Sequence, residues 1–185
     1  MRIPVPLAHA HRLLNHGPVT LIGTAHAERR NVMAAAWVMP IDFTPPKFAA
    51  VIAADTLTHE LLRASGECTL MAPTDHQLVA TYAVGTHTGR DGDKFARFQL
   101  AAEPGSRVQA PLLADCACWL ECRRLPEPHV EASYDLFLLE CVAAWADDRW
   151  WRDGEWHFDA HGPRTIHHCK GGLFFTTGER RQAPR

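Results

Sequence analysis

Apolar runs rich in β-formers, separated by short polar or proline-bearing breaks, fill the first fifty residues. Residues 18–25 (PVTLIGTA) predict a strand, Glu28-Arg29-Arg30-Asn31 a polar turn, and residues 32–39 a second strand completing a hairpin. Proline lacks the ladder donor, so Pro40 and Thr44-Pro45-Pro46 are expected to break the pairing before residues 47–53 resume an extended apolar run. Three strands are thus expected ahead of the first helix. That helix starts near Asp55 or Thr56, either of which can cap it. It turns Leu57, Leu61 and Leu62 inward and stops at Ser65-Gly66.

Residues 67–71 read as another strand. Thr74 and Gln77 have capping-box spacing ahead of a helix carrying Leu78, Tyr82 and Ala83. A glycine-rich loop (84–92) leads into a short helix over 93–98. Two long β-like runs follow at 116–125 and 134–146, alternating in the first and almost continuously apolar in the second, as suits strands of a closed sheet. Trp150, Trp151 and Trp156 flank the hairpin dipeptide Asp153-Gly154, 172–176 is a last apolar run, and 178–185 reads as a frayed basic tail. No repeat or linker divides the chain, which predicts one domain over 1–185, mainly β with a few helices, as a β-barrel.

At 185 residues with 46% apolar composition, the chain can bury roughly 70% of its unfolded surface and needs neither metal nor disulfide to hold a core. A net charge of −2 gives no field that would gather nucleic acid or an acidic membrane surface. His9, His11, Arg12, Asn15 and His16 interrupt any signal-peptide core in the first twenty residues, and no run is long enough to span a bilayer. Without a secretory signal, six cysteines point to reduced thiols in the cytoplasm.

Three segments carry candidate chemistry. Asn31-Val32-Met33-Ala34-Ala35-Ala36-Trp37 has little side-chain bulk at three successive positions, so either a flat ring or a packed helix can lie close to its backbone. Asp55-Thr56-Leu57-Thr58, at a helix start, offers free N–H groups and two hydroxyls to a phosphate, or simply caps the helix. Residues 85–95 (GTHTGRDGDKF) combine glycines, hydroxyls and the cations Arg90 and Lys94; Asp91 and Asp93 could instead pair with those cations on a solvated loop.

The order of Pro18-Val19-Thr20-Leu21, Asn31-Val32-Met33 through Trp37, Pro45-Pro46, Thr58, Thr88-Gly89-Arg90-Asp91-Gly92-Asp93-Lys94-Phe95 and Ala110-Pro111-Leu112 through Glu121-Cys122 resembles the flavin reductase-like family, in its flavoredoxin branch. The match runs from about Val19 to Leu173-Phe174-Phe175. The resemblance implies an FMN-binding split β-barrel of Greek-key antiparallel type, usually a homodimer with FMN near the subunit interface. It implies that Met33, Ala34, Ala35, Ala36 and Trp37 face the isoalloxazine ring through backbone groups, and that Thr56, Thr58, Thr88, Arg90 and Lys94 serve the ribityl chain and phosphate. Ala34 or Ala36 stands where the family often has a hydroxyl, Thr88 where serine is common, and Gly92 where an apolar residue is usual.

The implied reaction is hydride transfer from NADH or NADPH to flavin N5, which requires no catalytic acid or base from the protein. His87, in the cofactor loop, either influences that exchange or is idle. A flavoredoxin-like electron carrier with bound FMN is the close alternative. A metal-binding or redox-sensing module is the distant one, built on Cys116, Cys118 and Cys122 sharing one strand face, with His167, His168 and Cys169 as further ligands. Cys-x-Cys inside an apolar strand, however, is more typical of small buried hydrophobes than of a zinc knuckle. The tryptophans are expected to form core or interface packing rather than a lid, and Arg180, Arg181 and Arg185 to belong to a solvated tail rather than to an NADP phosphate site.

Overall fold

The computed structural model describes residues 2–10, 17–159 and 161–184. His11, Arg12, Asn15, His16 and Arg185, named above, lie outside them. Strands β1 (Arg2–Pro4), β2 (Thr20–His26), β3 (Arg29–Ala35), β4 (Val38–Phe43), β5 (Pro46–Val51) and β6 (Glu67–Ala72) are accompanied by helices α1 (Leu7–Ala10) and α2 (Leu57–Ser65). Helices α3 (Leu78–Thr86) and α4 (Lys94–Arg97) precede β7 (Ala102–Pro104), β8 (Pro111–Leu113) and β9 (Cys118–Leu125). Helix α5 (Pro128–Tyr134), β10 (Leu136–Asp147), β11 (Trp151–Arg152), β12 (Glu155–Trp156), β13 (Ile166–Lys170) and β14 (Leu173–Thr176) complete the order.

The main sheet is antiparallel, ordered β3-β2-β6-β9-β10-β5-β4, with β1 also pairing β10. Its two edges, β3 and β4, are consecutive in the chain and joined only by Ala36 and Trp37. Three peptide steps reach about 11 Å at most, so the sheet must curl until its edges nearly meet, yet no ladder joins them. The outcome is a barrel with a split along one side. Phe48, Phe137, Ile22, Leu70 and Leu120 fill its interior with negligible exposure, together with Cys68, Cys118, Cys122 and Cys141. A second cluster, with Leu21, Val32, Val84 and Phe95, packs between the β2–β3 face and α3–α4.

Several expectations are corrected by this topology. The 32–39 run is two strands, because the chain must cross the split at Ala36-Trp37; with β1, five strands rather than three precede α2. The β2–β3 turn is Ala27-Glu28, with Ala27 at φ 51°, so Arg29–Asn31 is strand and Asn31 is buried. Pro40 stays within β4, which tolerates it because β4 is an edge strand with an irregularity between Pro40 and Asp42. Cys116 precedes β9, and β1, α1, β7, β8, α5 and β13 have no counterpart among the elements predicted above.

Helix α2 forms as its sequence dictates. The Thr56 hydroxyl accepts from His59 N–H at 3.2 Å, and Gly66, at φ 73°, donates to Leu62 O at 2.8 Å. Ahead of α3 the Gln77 side chain reaches back to Thr74 N–H at 3.3 Å. Among the described residues no helix is long and apolar enough to cross a membrane.

Candidate functional site

Two clefts of opposite character open beside β3 and meet at Gly85 and Thr86 of α3. The first, about 280 Å³, is apolar: Ala34, Ala35 and Ala36 form one wall, Thr81 and Tyr82 of α3 another, and His168, Gly171 and Phe174 of the β13–β14 hairpin a third. The second, about 220 Å³, is polar and lies between the start of α2 (Asp55 to Thr58), the loop His87-Thr88-Gly89, and Asn31, Met33 and Lys94.

The polar cleft is rich in donors. The first helical bond of α2 runs from Glu60 N–H to Thr56 O, and Thr56 Oγ1 takes His59 N–H, so Leu57 and Thr58 present N–H groups that no helical carbonyl can satisfy. Asn31 Nδ2 donates to Thr58 Oγ1 at 2.8 Å, which leaves the Thr58 hydroxyl hydrogen to donate elsewhere. Lys94, only 4% exposed, donates from Nζ to Val32 O at 2.9 Å and Val84 O at 2.7 Å; an ammonium has a third donor. Burial pulls its amine down to about 8. A Cβ on Gly89 would collide with Asn31 Oδ1 and stand 2.8 Å from Leu57 Cδ2, so only glycine lets this loop close on β3 and α2. Asn31 Oδ1 is buried without a partner.

Most of the residues singled out from sequence gather here. Ala34, Ala35 and Ala36 line the apolar cleft, and Met33, Thr56, Thr58, Thr88 and Lys94 the polar one. Two do not. Trp37, 74% exposed, sits on the crossover between the sheet edges and lines neither cleft. Arg90 turns away to Glu60 at 2.7 Å, a carboxylate that also takes Arg29 at 2.6 Å and is held below its usual range by these two guanidinium hydrogen bonds, Arg90 first. His87 lines the polar cleft, its Nδ1 2.9 Å from Ala83 O; a carbonyl only accepts, so Nδ1 carries the hydrogen.

Sequence reasoning missed Thr81 and Tyr82 of α3 and the β13–β14 wall; Gly85 and Thr86, expected in a glycine-rich loop over 84–92, instead form the last turn of α3 and complete its cleft face. Helical periodicity could have found the α3 face, whose positions recur at i, i+1, i+4 and i+5. Nothing local marks the β13–β14 wall, because it reaches the cleft only through the tertiary fold.

The cysteine-based alternative is not supported by placement. Cys118 and Cys122 point into the barrel interior, whereas Cys116 packs with Met71 and Trp119 in the other cluster, so the three do not share a face. Burial pushes the Cys116 thiol up to about 12 and those of Cys118 and Cys122 up as well. Among the described residues no group of three or more His, Cys, Asp or Glu is arranged to hold a metal ion. Trp150 and Trp151 are buried, Trp156 packs edge-on against Trp151 at 5.1 Å, and none of the three lines either cleft. Arg180 of the tail pairs with Glu155 at 2.8 Å.

Comparison with known proteins agrees with this architecture. Residues 12–161 match the model of the flavin reductase like domain. An uncharacterized protein, YddH, of Escherichia coli K12 is 41% identical over 181 residues, covering 96% of each chain. The crystal structure of an FMN-binding domain of a flavin reductases-like enzyme from Shewanella baltica OS155 superimposes with a TM-score of 0.96 at 37% identity, covering 100% of this chain and 98% of that one. The flavoredoxin of Desulfovibrio vulgaris (Miyazaki F) shares the fold, with a TM-score of 0.78 at 24% identity over 90% of both chains. The conjoined clefts therefore lie in a split β-barrel, and the chain belongs to the flavin reductase like domain family.

Proposed function

We propose that this protein binds FMN and is an oxidoreductase of the NAD(P)H-dependent flavin reductase type. One observation carries the reading: an apolar cleft floored by alanines runs directly into a polar cleft built on a helix N-terminus, hydroxyls and a buried lysine. FMN has the same polarity, a flat, largely apolar ring at one end and a phosphate dianion at the other.

The residues present fit that group. Thr58, Thr88, the N–H groups of Leu57 and Thr58 and the third N–H of Lys94 would hold the phosphate and ribityl hydroxyls, while Thr56 Oγ1, whose hydrogen goes to Ala53 O at 2.8 Å, and Asn31 Oδ1, an orphan acceptor, would accept from ribityl hydroxyls. Ala34–Ala36 would lie against the ring, with Met33 at the junction; Trp37 reaches it only through backbone, and Arg90 only by releasing Glu60. When bound, FMN supplies hydride and electron exchange at N5. The protein's part is to orient the ring, exclude water from one face with apolar side chains, and neutralise the phosphate.

A homodimer belongs to the same reading. Edge strand β4 leaves Met39 and Ile41 exposed beside Trp37, an apolar strip next to the cleft that a second copy would cover; light scattering of the purified protein tests it, and a monomer refutes it. The five buried free thiols suit a reducing cytoplasm. Function is tested by FMN titration followed by anaerobic NADH or NADPH. Saturable binding and bleaching of the flavin bands are expected. Binding without bleaching would make the protein a carrier charged by another protein, and no binding at high micromolar FMN would refute the reading.

A further inference from the structure

Two polar side chains that line the apolar cleft, Thr81 and His168, have no part in the reading above. Thr81, 1% exposed, lines the cleft from α3, and its hydroxyl is buried with no hydrogen-bond partner. An unpaired buried hydroxyl is costly, and one kept beside a cleft points to a ligand that satisfies it. Across the cleft, His168 lies on the β13–β14 hairpin, beyond the residues matched by the family model.

The hairpin is firmly rooted. Thr165 bridges Thr74, Val19 N–H donates to Ile166 O at 2.8 Å, and Arg164 N–H donates to Asp75 Oδ1 at 3.1 Å. Phe174 meets the Tyr82 ring edge-on at 6.5 Å and the His168 ring at 5.2 Å, which fixes the imidazole beside the cleft. His168 Nε2 lies 2.9 Å from Gly171 O. That carbonyl can only accept, so Nε2 carries the hydrogen and Nδ1 of the neutral ring presents a lone pair.

We propose that Thr81 and His168 are specificity-determining residues that read the polar edge of the flavin ring, Thr81 donating its hydroxyl to a ring carbonyl and His168 Nδ1 accepting from the imide N–H. The inference rests on the proposed seating of FMN with its ring in the apolar cleft. A donor and an acceptor on facing walls of one cleft match the pyrimidinedione edge of isoalloxazine, where an N–H is flanked by two carbonyls. The apolar dimethylbenzene end satisfies neither group.

The test is fluorescence-quenching titration of FMN and of N3-methylated FMN against the wild type, Thr81→Val, Thr81→Ser and His168→Ala, with thermal unfolding of each unliganded protein. Thr81→Val is expected to weaken FMN roughly three- to tenfold without lowering Tm, because it removes an unsatisfied hydroxyl; Thr81→Ser restores binding. Wild type is expected to prefer FMN over the N3-methylated analogue, and His168→Ala, an exposed-tip change, to abolish that preference. Unchanged FMN affinity in Thr81→Val, or a preference that survives in His168→Ala, overturns the assignment while leaving the FMN reading intact. Wild-type protein that binds neither flavin overturns both.

Discussion

Replacing Lys94 by methionine separates its two roles. Its ammonium ties β3 to α3 through Val32 O and Val84 O. Losing it leaves two buried carbonyls unpaired, at about 1–3 kcal/mol each. Against this, the amine falls from 10.5 to about 8 on burial, and at 1.36 kcal/mol per unit that burial costs the folded state about 3 kcal/mol, which methionine does not incur. Two carbonyls cost about 2–6 kcal/mol against the roughly 3 kcal/mol recovered, so the Lys94→Met midpoint in urea should correspond to a protein between about 1 kcal/mol more stable and about 3 kcal/mol less stable than wild type at pH 7. FMN affinity has no such compensation. One charge-assisted bond to the phosphate, about 1.5–3 kcal/mol, predicts a loss of about ten- to a hundredfold.

The pH dependence follows with opposite signs for the two properties. Between about 8 and 10.5 the unfolded chain binds the lysine proton and the folded chain does not, so this group makes unliganded stability rise with pH across that window; below about 8 its penalty is complete. FMN binding needs the ammonium and therefore weakens as pH rises above about 8, the decline starting somewhat higher because a bound dianion favours the proton. Titration of FMN from pH 6.5 to 10 in wild type and Lys94→Met checks this. A variant with wild-type Kd, or with the same alkaline decline, refutes the assignment of Lys94 to the phosphate.

Gly89→Ala should weaken FMN and destabilise the fold by about 1–3 kcal/mol, since the new methyl must displace Asn31 or Leu57; titration and urea unfolding measure both. Thr56→Ala should cost about 1 kcal/mol through the lost cap to His59 N–H, read as a lower Tm. Arg124 and Glu131 form a two-pronged pair at 2.7 and 2.6 Å, with Glu131 3% exposed, so Arg124→Ala should destabilise by about 3–5 kcal/mol. Arg124 holds the Glu131 carboxyl below its usual range, so the stability this carboxylate contributes is present above about pH 4.5 and is lost as pH falls through its lower folded value; acid unfolding monitored by circular dichroism should show it.

What was legible in the sequence was what short-range chemistry determines. The Thr56 cap and the Gly66 stop of α2 stand where hydroxyl and glycine placement put them. The apolar runs became β2, β5, β6, β9 and β10 within a few residues. What was not legible depended on distant partners. Residues 32–39 look like one strand, yet β3 pairs β2 and β4 pairs β5 at opposite edges of the sheet, so the break at Ala36-Trp37 is imposed by barrel closure. Arg90 and Lys94 look equivalent as loop cations. Only the fold reveals that Glu60 captures one and that two carbonyls draw the other beneath the surface.

The alanine run shows why a small-residue strand resists a single explanation. From sequence it suits either a closely packed helix or a flat ligand, and in the structure part of it packs against α3 while part lines an open cleft. A Cβ on Gly85 would come within 3.2 Å of Ala34 Cβ, so α3 already approaches β3 as near as small residues allow, and a larger side chain at either position would push the helix outward. Ala35 is buried among the barrel's interior side chains, and Ala36 stands open at the split. The close approach of α3 brings Val84 O over β3 within reach of Lys94 and places Thr81 and Gly85 on the same cleft. A serine at position 34 would therefore not simply add a hydrogen bond to a ring. It would crowd Gly85, shift the helix carrying Thr81, and alter the lysine geometry behind the polar cleft. Ala34→Ser should accordingly disturb FMN affinity together with stability, whereas Ala36→Ser, at the open end, should leave Tm within about 2 °C of wild type, consistent with surface changes of under about 0.5 kcal/mol. Equal Tm losses in the two variants would show that the alanines are not divided between packing and cleft in this way.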